Sequence, residues 1–314
     1  MENGPVRRAA TPGSHPLVRA AWLGAGGMLA IAVFLAVVAR AVGLAVFVAG
    51  AALLLLLLGY VVYMGRHLIF ARDLARAEAA LAAGDLEGAR RILAPLLDLY
   101  PGIAVVQRLS GLALYRLGDP LSAAALLERA ARSYADDAEL AATLVACYAA
   151  LNRGADARRP AALLPRHADV RLALAWSELV ALGGDRIAGE QIAAELRERA
   201  DVREAPARAA MCAALAAIAH ARRGAETSAR AALEDPATRA AGLSAFDRAF
   251  LGYLEGVALR EAGAADDALR AWERAMSAAP GTIGEALARR ERANLLARHS
   301  SSSLQPSTEP SSSA

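Results

Sequence analysis

Few residues in this chain could do acid–base or metal chemistry, and their spacing forms no catalytic motif. The five histidines are scattered, and no two have the helical spacing that a zinc site uses. The sequence has no HExxH and no GxSxG, and because it has no lysine it has no phosphate-binding loop ending in lysine. We therefore predict no catalytic residue, no metal site, no cofactor and no enzymatic activity. The histidines are His15, His67, His167, His220 and His299.

Acidic pairs and cysteines have structural interpretations. The aspartates at 136–137 and 266–267 fall where helices are predicted to begin, and the helix dipole favours negative charge there. Cys147 and Cys212 lie in apolar helical contexts, form no CxxC and have no histidine at metal-ligand spacing. They are predicted to be buried free thiols.

The charge pattern gives little support to nucleic-acid binding. All 35 basic residues are arginine, and the formal net charge is only +3. The arginines are spread along the chain and interleaved with Asp and Glu, so the sequence shows no basic stripe for a phosphate backbone. No nucleic-acid partner is predicted.

An apolar region near the N-terminus predicts a membrane segment. Residues 20–64 contain a single charge, Arg40, which separates two apolar blocks at 20–39 and 41–64. A membrane-spanning helix needs ~20 apolar residues, and each block meets that length. Because a charge in mid-bilayer is costly, Arg40 and Gly43 are predicted to lie in a turn between two helices. The lipid bilayer is thus a predicted partner of residues 20–64.

Flanking charge predicts the orientation of this hairpin. Cytoplasmic flanks carry an excess of arginine, which places both ends of the hairpin in the cytoplasm of a bacterial inner membrane. A rival interpretation makes the first block a cleaved signal peptide, but the second block would then still return the chain to the cytoplasm. The alternative orientation, with the array facing the periplasm, requires that only one of the two blocks spans. The flanking arginines are Arg7, Arg8 and Arg19 before the hairpin, and Arg66, Arg72 and Arg76 after it.

Internal repetition dominates the rest of the chain. Gly84 and Asp85 recur 34 residues later as Gly118 and Asp119, and the segment around Gly263 aligns with both. Apolar residues recur at helical spacing throughout, which predicts an all-α region. The aligned columns hold Ala77, Gly111 and Gly256 seven positions before the glycine, Ala89, Ala123 and Ala268 five after it, and Leu93, Leu127 and Trp272 nine after it.

This pattern resembles the tetratricopeptide repeat, a 34-residue helix–turn–helix unit. The resemblance implies an α-solenoid of about six helix pairs over residues 67–283. The closest matches cover residues 252–280 and 77–101, and Pro120 fits the first turn of a second helix. Between 138 and 248 the repeats are degenerate, with breaks expected at Asn152–Gly154, Gly184 and Gly224.

The predicted organisation has five parts. Residues 1–16 and 300–314 are polar and are expected to be disordered, the second being rich in Ser and Pro. Residues 17–66 form the transmembrane hairpin and 67–283 the repeat array. Residues 284–299 form a polar, arginine-rich helix that caps the array.

In tetratricopeptide proteins the first helix of each pair lines a concave groove that binds a peptide or helix. Carrying over the family's positions gives five groove residues, and an Arg–Tyr surface would suit acidic segments with aromatic anchors. These residues are Arg108, Tyr115, Arg116, Tyr253 and Arg260.

The sequence as a whole predicts a membrane-anchored scaffold or assembly factor that binds unidentified partner proteins. The hairpin would raise the effective concentration of the array at the membrane. Two alternatives stay open. The chain could be a subunit of a membrane enzyme with a site in residues 155–248, or the array could be a self-association module that forms homo-oligomers.

Overall fold

The computed structural model describes residues 26–38, 43–235 and 242–302, and these form fifteen α-helices and no β-strand. The predicted all-α class is confirmed over this part of the chain. Alanine-rich segments with few β-branched runs favour helix, because alanine has the highest helix propensity. The chain divides into two compact units, Met1–Arg72 and Asp73–Ala314.

The first unit holds helix α1 (Gly26–Val38) and most of helix α2 (Leu44–Ala82). Among the described residues, α2 is the one helix long and apolar enough to cross a membrane, over Val48–Ala82. Its leucines and valines are exposed, as at Leu56, which is 72% exposed. A run of exposed apolar side chains is unusual on a surface that faces water.

The predicted two-helix hairpin is described only in part. Helix α1 covers thirteen residues of the first apolar block, fewer than the ~20 that a spanning helix needs. The rest of that block and the predicted turn at Arg40 lie outside the described residues, so the second span stays a prediction. Where α1 and α2 approach each other, a Cβ placed on Gly50 would lie 3.7 Å from Leu35 Cδ2.

The second unit consists of helices that pack against their neighbours in the chain. The helices are α3 (Leu86–Leu99), α4 (Ala104–Arg116), α5 (Pro120–Ala130), α6 (Ala138–Ala150), α7 (Gly154–Ala161), α8 (Ala168–Val180), α9 (Arg186–Glu198), α10 (Ala200–Arg203), α11 (Pro206–Arg222), α12 (Glu226–Leu233), α13 (Ala245–Glu261), α14 (Ala265–Ala278) and α15 (Ile283–Ser302). Helix α3 packs against α4, and thereafter α4 packs against α5, α6 against α7, α8 against α9, α11 against α12, and α13 against α14.

The turns between paired helices follow the 34-residue period. Gly84, Gly118 and Asn152 lie 34 residues apart, and all three have the positive φ angles of left-handed backbone. Glycine and asparagine adopt this conformation at low cost, which is why they end helices. In the next turn the left-handed residue is Gly183, one position before the predicted Gly184.

Aspartates lie at the start of several helices. Of the two acidic pairs predicted there, Asp137 caps α6, whereas Asp266 and Asp267 lie in the first turn of α14, whose N-cap is Ala264. Asp85 caps α3. The Asp85 carboxylate accepts the Gly88 N–H at 2.9 Å, and Asp137 accepts the Leu140 N–H at 2.9 Å. Each bond satisfies a backbone donor that has no partner inside the helix.

The small residue seven positions before each turn lets the second helix come close. A Cβ on Gly111 would lie 2.6 Å from Leu127 Cγ, and a Cβ on Gly256 would lie 2.2 Å from Trp272 Nε1. Real Cβ contacts are not this short, so neither site has room for a side chain. The columns found in the sequence are thus the contact points between paired helices.

The first helices of the pairs form the core of the second unit. Helices α4, α6, α8, α11 and α13 are buried on most of their faces, whereas their partners bury one stripe. On α14 the stripe consists of Ala268, Ala271, Trp272 and Ala275, the spacing of one helical face.

The last helix reaches back to earlier pairs. Helix α15 packs against α13 and α14, and its Arg290 Nη1 donates to the Ala150 carbonyl, at the end of α6, at 2.6 Å. Its Ala286 lies beside the turn between α4 and α5, 3.3 Å from a Cβ placed on Gly118. The final helix therefore touches the α4–α5 turn and the end of α6 as well as α13 and α14. Helix α15 extends to Ser302, into the predicted tail, and residues 303–314 and 1–16 lie outside the described residues.

Both cysteines are buried free thiols, as predicted. Cys147 has no exposed surface and Cys212 is 2% exposed. Burial raises the pKa of Cys212 to about 11, and it raises the pKa of Cys147 further. Both side chains stay protonated and unreactive at neutral pH, since the thiolate is the reactive form.

Candidate functional site

The inner faces of the first helices enclose an apolar cavity of about 250 Å³. Its walls come from α4, α6, α8, α11 and α13. Helix α4 contributes Tyr115 alone, and each of the other four contributes residues three or four positions apart, which share one face. The lining residues are Tyr115, Ala142, Thr143, Ala146, Asp169, Leu172, Ala173, Trp176, Ala207, Arg208, Met211, Phe246, Asp247, Phe250 and Leu251.

The cavity exists because one wall is built from small side chains and the others from large ones. Helix α6 contributes Ala142 and Ala146, whereas α8 and α13 contribute Trp176 and Phe250. The Trp176 and Phe250 rings meet edge to face with centroids 4.9 Å apart, an arrangement that aromatic pairs favour. An apolar cavity of ~150 Å³ can already hold benzene, so this one has room for a large apolar side chain.

One ion pair stands among the apolar walls. Arg208 donates from Nε and Nη2 to the two carboxylate oxygens of Asp169 at 2.6 and 2.8 Å. The hydrogen bond to Asp169 raises the pKa of Arg208, so this guanidinium stays charged. Both side chains are partly exposed. This two-pronged pair fixes the position of α8 relative to α11 beside the cavity.

A larger cavity of about 1000 Å³ adjoins the first. It lies between the α2–α3 turn, the end of α4, the start of α13 and the α14–α15 turn. Phe246 and Asp247 line both cavities, so the two meet at the start of α13. We refer to the two cavities together as the inner cleft.

Of the five residues predicted to bind a partner, Tyr115 and Arg116 line the inner cleft. Tyr115 is 9% exposed, and burial raises the pKa of its hydroxyl, which stays neutral. Arg116 donates to the Leu81 carbonyl at 3.2 Å and to Glu139 Oε1 at 3.1 Å. The structure thus brings two of the five to one site.

Arg108 and Arg260 are held in ion pairs within the protein. Arg108 bonds to Asp137 and, at 3.0 Å, to Glu139. Arg260 bonds to Glu291 of α15 and, at 2.6 Å, to its neighbour Glu261. Neither arginine lines the inner cleft.

Tyr253 is placed where a partner does not reach it. Its side chain has no exposed surface, and it packs beside Trp176 with ring centroids 6.2 Å apart. Burial raises the pKa of its hydroxyl to about 12. The structure thus places Tyr253 in the core and not on the exposed groove face where the sequence placed it. The physical reason is that α8 and α15 cover the face of α13 that an open array would expose.

The sequence interpretation missed most of the residues that line the first cavity. Met211 lies in the degenerate part of the repeats, and Phe246 and Phe250 lie just before the close match that begins at residue 252. A signal was present, because Phe246 and Phe250 are spaced four apart and therefore share a face. Nothing in the sequence placed them opposite Trp176, since that depends on how five helices are rotated.

Neither a metal site nor a relative points to a function. Within the part of the chain that the structure describes, no three His, Cys, Asp or Glu side chains lie together as metal ligands would. No family model matches the chain, and no curated protein matches it either.

Proposed function

We propose that this protein is a membrane-anchored interaction protein whose inner cleft binds an apolar segment of a partner protein. In this proposal residues 20–64 form a two-helix hairpin in a bacterial inner membrane. The helix pairs after it form a tetratricopeptide-like solenoid closed by α15. The chain carries out no reaction itself and recruits or positions its partner at the membrane.

Exposed apolar surface supports the membrane anchor. The first half of α2 exposes Leu53, Leu55, Leu56 and Leu57 by 60–72% each. Water penalises such a surface by about 25 cal/mol for each Å² of apolar area, whereas hydrocarbon does not. Together with the close approach of α1 and α2 at Gly50, this favours a packed hairpin in lipid.

Labelling of introduced cysteines tests the hairpin. In the full chain, Ser14→Cys and Ser133→Cys mark the two ends, one before the hairpin and one in the array. We expect a membrane-impermeant maleimide to label neither variant in intact spheroplasts and to label both after permeabilisation, because a hairpin returns the chain to its starting side. The measurement is the labelled fraction on a gel.

The parent chain is the control for this experiment. Cys147 and Cys212 are buried and protonated, so the background should be low. Labelling of Ser133→Cys, but not Ser14→Cys, from outside would show a single span and a periplasmic array.

The observation that carries the binding proposal is the apolar cavity on the inner faces of five helices. Sites for ligands and anchor side chains are concave, mostly apolar and fitted with a few polar groups. The inner cleft has an aromatic wall, an alanine wall and the Asp169–Arg208 pair among them. Its shape suits the large apolar anchor that typically dominates a protein interface.

Filling the cavity should abolish binding. Ala142→Phe places a ring into the first cavity, where the volume of about 250 Å³ can accept it. We expect the full chain carrying a photoreactive amino acid in place of Met211 to crosslink a partner in cells. The adduct should be lost when Ala142→Phe is added, because the ring occupies the position of the anchor. The adduct is identified by mass spectrometry.

The matched control is Ala194→Phe, the same substitution at an exposed position of α9 outside the cleft. Far-UV circular dichroism verifies that both variants fold. An adduct that survives Ala142→Phe at full yield would contradict the assignment of the cleft as the binding site.

Catalysis in residues 155–248 and self-association stay alternatives that no observation favours. Residues 168–211 do contribute walls of the first cavity, including Asp169, Trp176 and Arg208. The two charged groups among them already neutralise each other, which suits a structural role.

A further inference from the structure

The arginines around the inner cleft already have carboxylate partners. Arg208 is bound through two nitrogens by Asp169, and Arg116 is bound by Glu139. A guanidinium that is already paired offers little to an additional carboxylate. The sequence predicts a partner with acidic segments. The arginines of the cleft have few free N–H donors for the carboxylates of such a partner.

Carboxylates outnumber arginines in the lining of the cleft. Four carboxylates and two guanidinium groups line the two cavities, a net formal charge of −2. The carboxylates are Asp85, Glu87, Asp169 and Asp247.

Two of these carboxylates have unused capacity for a cation. Asp85 Oδ1 accepts the Gly88 N–H, and Asp247 Oδ2 accepts the N–H and hydroxyl of Ser244. Among the described residues neither has an ion-pair partner. An ionised carboxylate has about four acceptor sites, so both can still bind a cation. Glu87 is paired with Arg90 one turn along the same exposed helix, a weak type of pair.

Asp247 stands at the junction of the apolar and acidic parts of the cleft. It lines both cavities, whereas Trp176 and Met211 line only the first and Asp85 only the second. A segment with an apolar side chain in the first cavity would therefore place its neighbouring residues beside Asp247.

We propose that the inner cleft selects a partner segment in which a large apolar side chain lies next to arginine or lysine. This inference rests on the proposed function, since it names the chemistry of the segment that the same cleft binds. The apolar side chain inserts against Trp176 and Phe250, and the cation lies beside Asp247 and toward Asp85. Charge complementarity of this kind sets specificity and the association rate.

Binding of short peptides to the full chain tests the proposal. The protein is reconstituted in nanodiscs of zwitterionic lipid, so that cationic peptides gain little from the bilayer. Three fluorescent peptides share a central phenylalanine and differ only in flanks of arginine, glutamine or glutamate. We expect anisotropy titrations to show the arginine peptide binding about tenfold more tightly than the glutamine peptide, with the glutamate peptide weakest. The preference should shrink with added salt.

A double variant isolates the contribution of the carboxylates. Asp85→Asn with Asp247→Asn keeps side-chain oxygens that can cap helices, so the fold should be retained. In this variant the arginine peptide should bind as weakly as the glutamine peptide does, and the affinity of the glutamine peptide should not change. The matched control is Asp98→Asn with Asp266→Asn, which removes the same charge at exposed positions outside the cleft and should preserve the preference.

Each contrary outcome has a distinct meaning. Equal binding of all three peptides, lost in Ala142→Phe, would overturn the charge preference and leave the proposed function standing. Failure of every peptide to bind would overturn both. If the arginine peptide binds empty nanodiscs with the same affinity, it binds the lipid and not the protein. That outcome would overturn the charge preference. If the protein forms a dimer in detergent and Ala142→Phe dissociates it, the cleft binds a second copy of the chain. That outcome would also overturn the charge preference.

Discussion

Gly256→Ala is expected to destabilise the protein by about 3 kcal/mol, even though alanine is the better helix former. In an exposed helix the same change would stabilise by ~0.5–1 kcal/mol, because glycine loses more entropy on folding. At Gly256 the added Cβ would lie 2.2 Å from Trp272 Nε1 and 2.4 Å from Trp272 Cδ1. Trp272 cannot simply move aside, because it is fully buried and its Nε1 donates to the Tyr253 carbonyl at 3.2 Å.

Chemical denaturation of the full chain in detergent, followed by far-UV circular dichroism, measures this loss. Gly102→Ala is the control, because a Cβ there meets no atom within 4 Å and its φ lies outside the left-handed region. We expect Gly102→Ala to change the free energy of unfolding by less than ~0.5 kcal/mol. Equal stability of the two variants would show that α13 and α14 are not packed as closely as described.

Glu178→Gln should also destabilise the protein, by about 2 kcal/mol, because a buried carboxylate loses hydrogen bonds from a charged group. The loss is smaller than for a fully buried pair, since the Arg158 side chain is 50% exposed. Glu178 is 3% exposed, and its carboxylate accepts from Arg158 Nε at 2.7 Å and Nη2 at 2.9 Å. It also accepts the Asp185 N–H at the start of α9. Glutamine has one acceptor oxygen in place of two and turns an N–H₂ donor toward a group that is itself a donor. The substitution therefore loosens α7 and the α8–α9 turn together.

The same denaturation measurement tests Glu178, with Glu255→Gln as its control. Glu255 pairs with Arg274 at 2.7 Å, but both side chains are at least 36% exposed. Exposed pairs contribute ~0–1 kcal/mol, so this control should stay near the parent stability. If Glu178→Gln and Glu255→Gln had the same free energy of unfolding, the Glu178 carboxylate would not be the group that holds these helices together.

The local features of the fold could be predicted from sequence because each depends on residues close in the chain. Glycine or asparagine at 34-residue intervals indicated the left-handed turns at Gly84, Gly118 and Asn152. The paired columns Gly111 with Leu127, and Gly256 with Trp272, indicated where two helices touch. Such signals need only helical periodicity and the size of one side chain.

The candidate site was harder to predict, because it depends on how successive pairs rotate. A repeat period does not encode the rotation between pairs, yet that rotation decides whether an inner face is open or covered. Of the positions taken from the tetratricopeptide resemblance, Tyr115 and Arg116 line the inner cleft and Tyr253 is buried, and whether any of them binds a partner stays a prediction. The ion pairs of Arg108 and Arg260 likewise join segments about thirty residues apart.

The contacts of α15 with the α4–α5 turn and with the end of α6 affect how the second unit unfolds. A linear stack of repeats can fray from either end, because each unit touches only its neighbours. Here the hydrogen bond between Arg290 and Ala150 joins residues 140 positions apart, so α15 holds the end of the second unit against its middle. Detachment of α15 would expose Ile283 and Leu287 together with the residues they cover, so unfolding of this helix is coupled to the middle of the second unit.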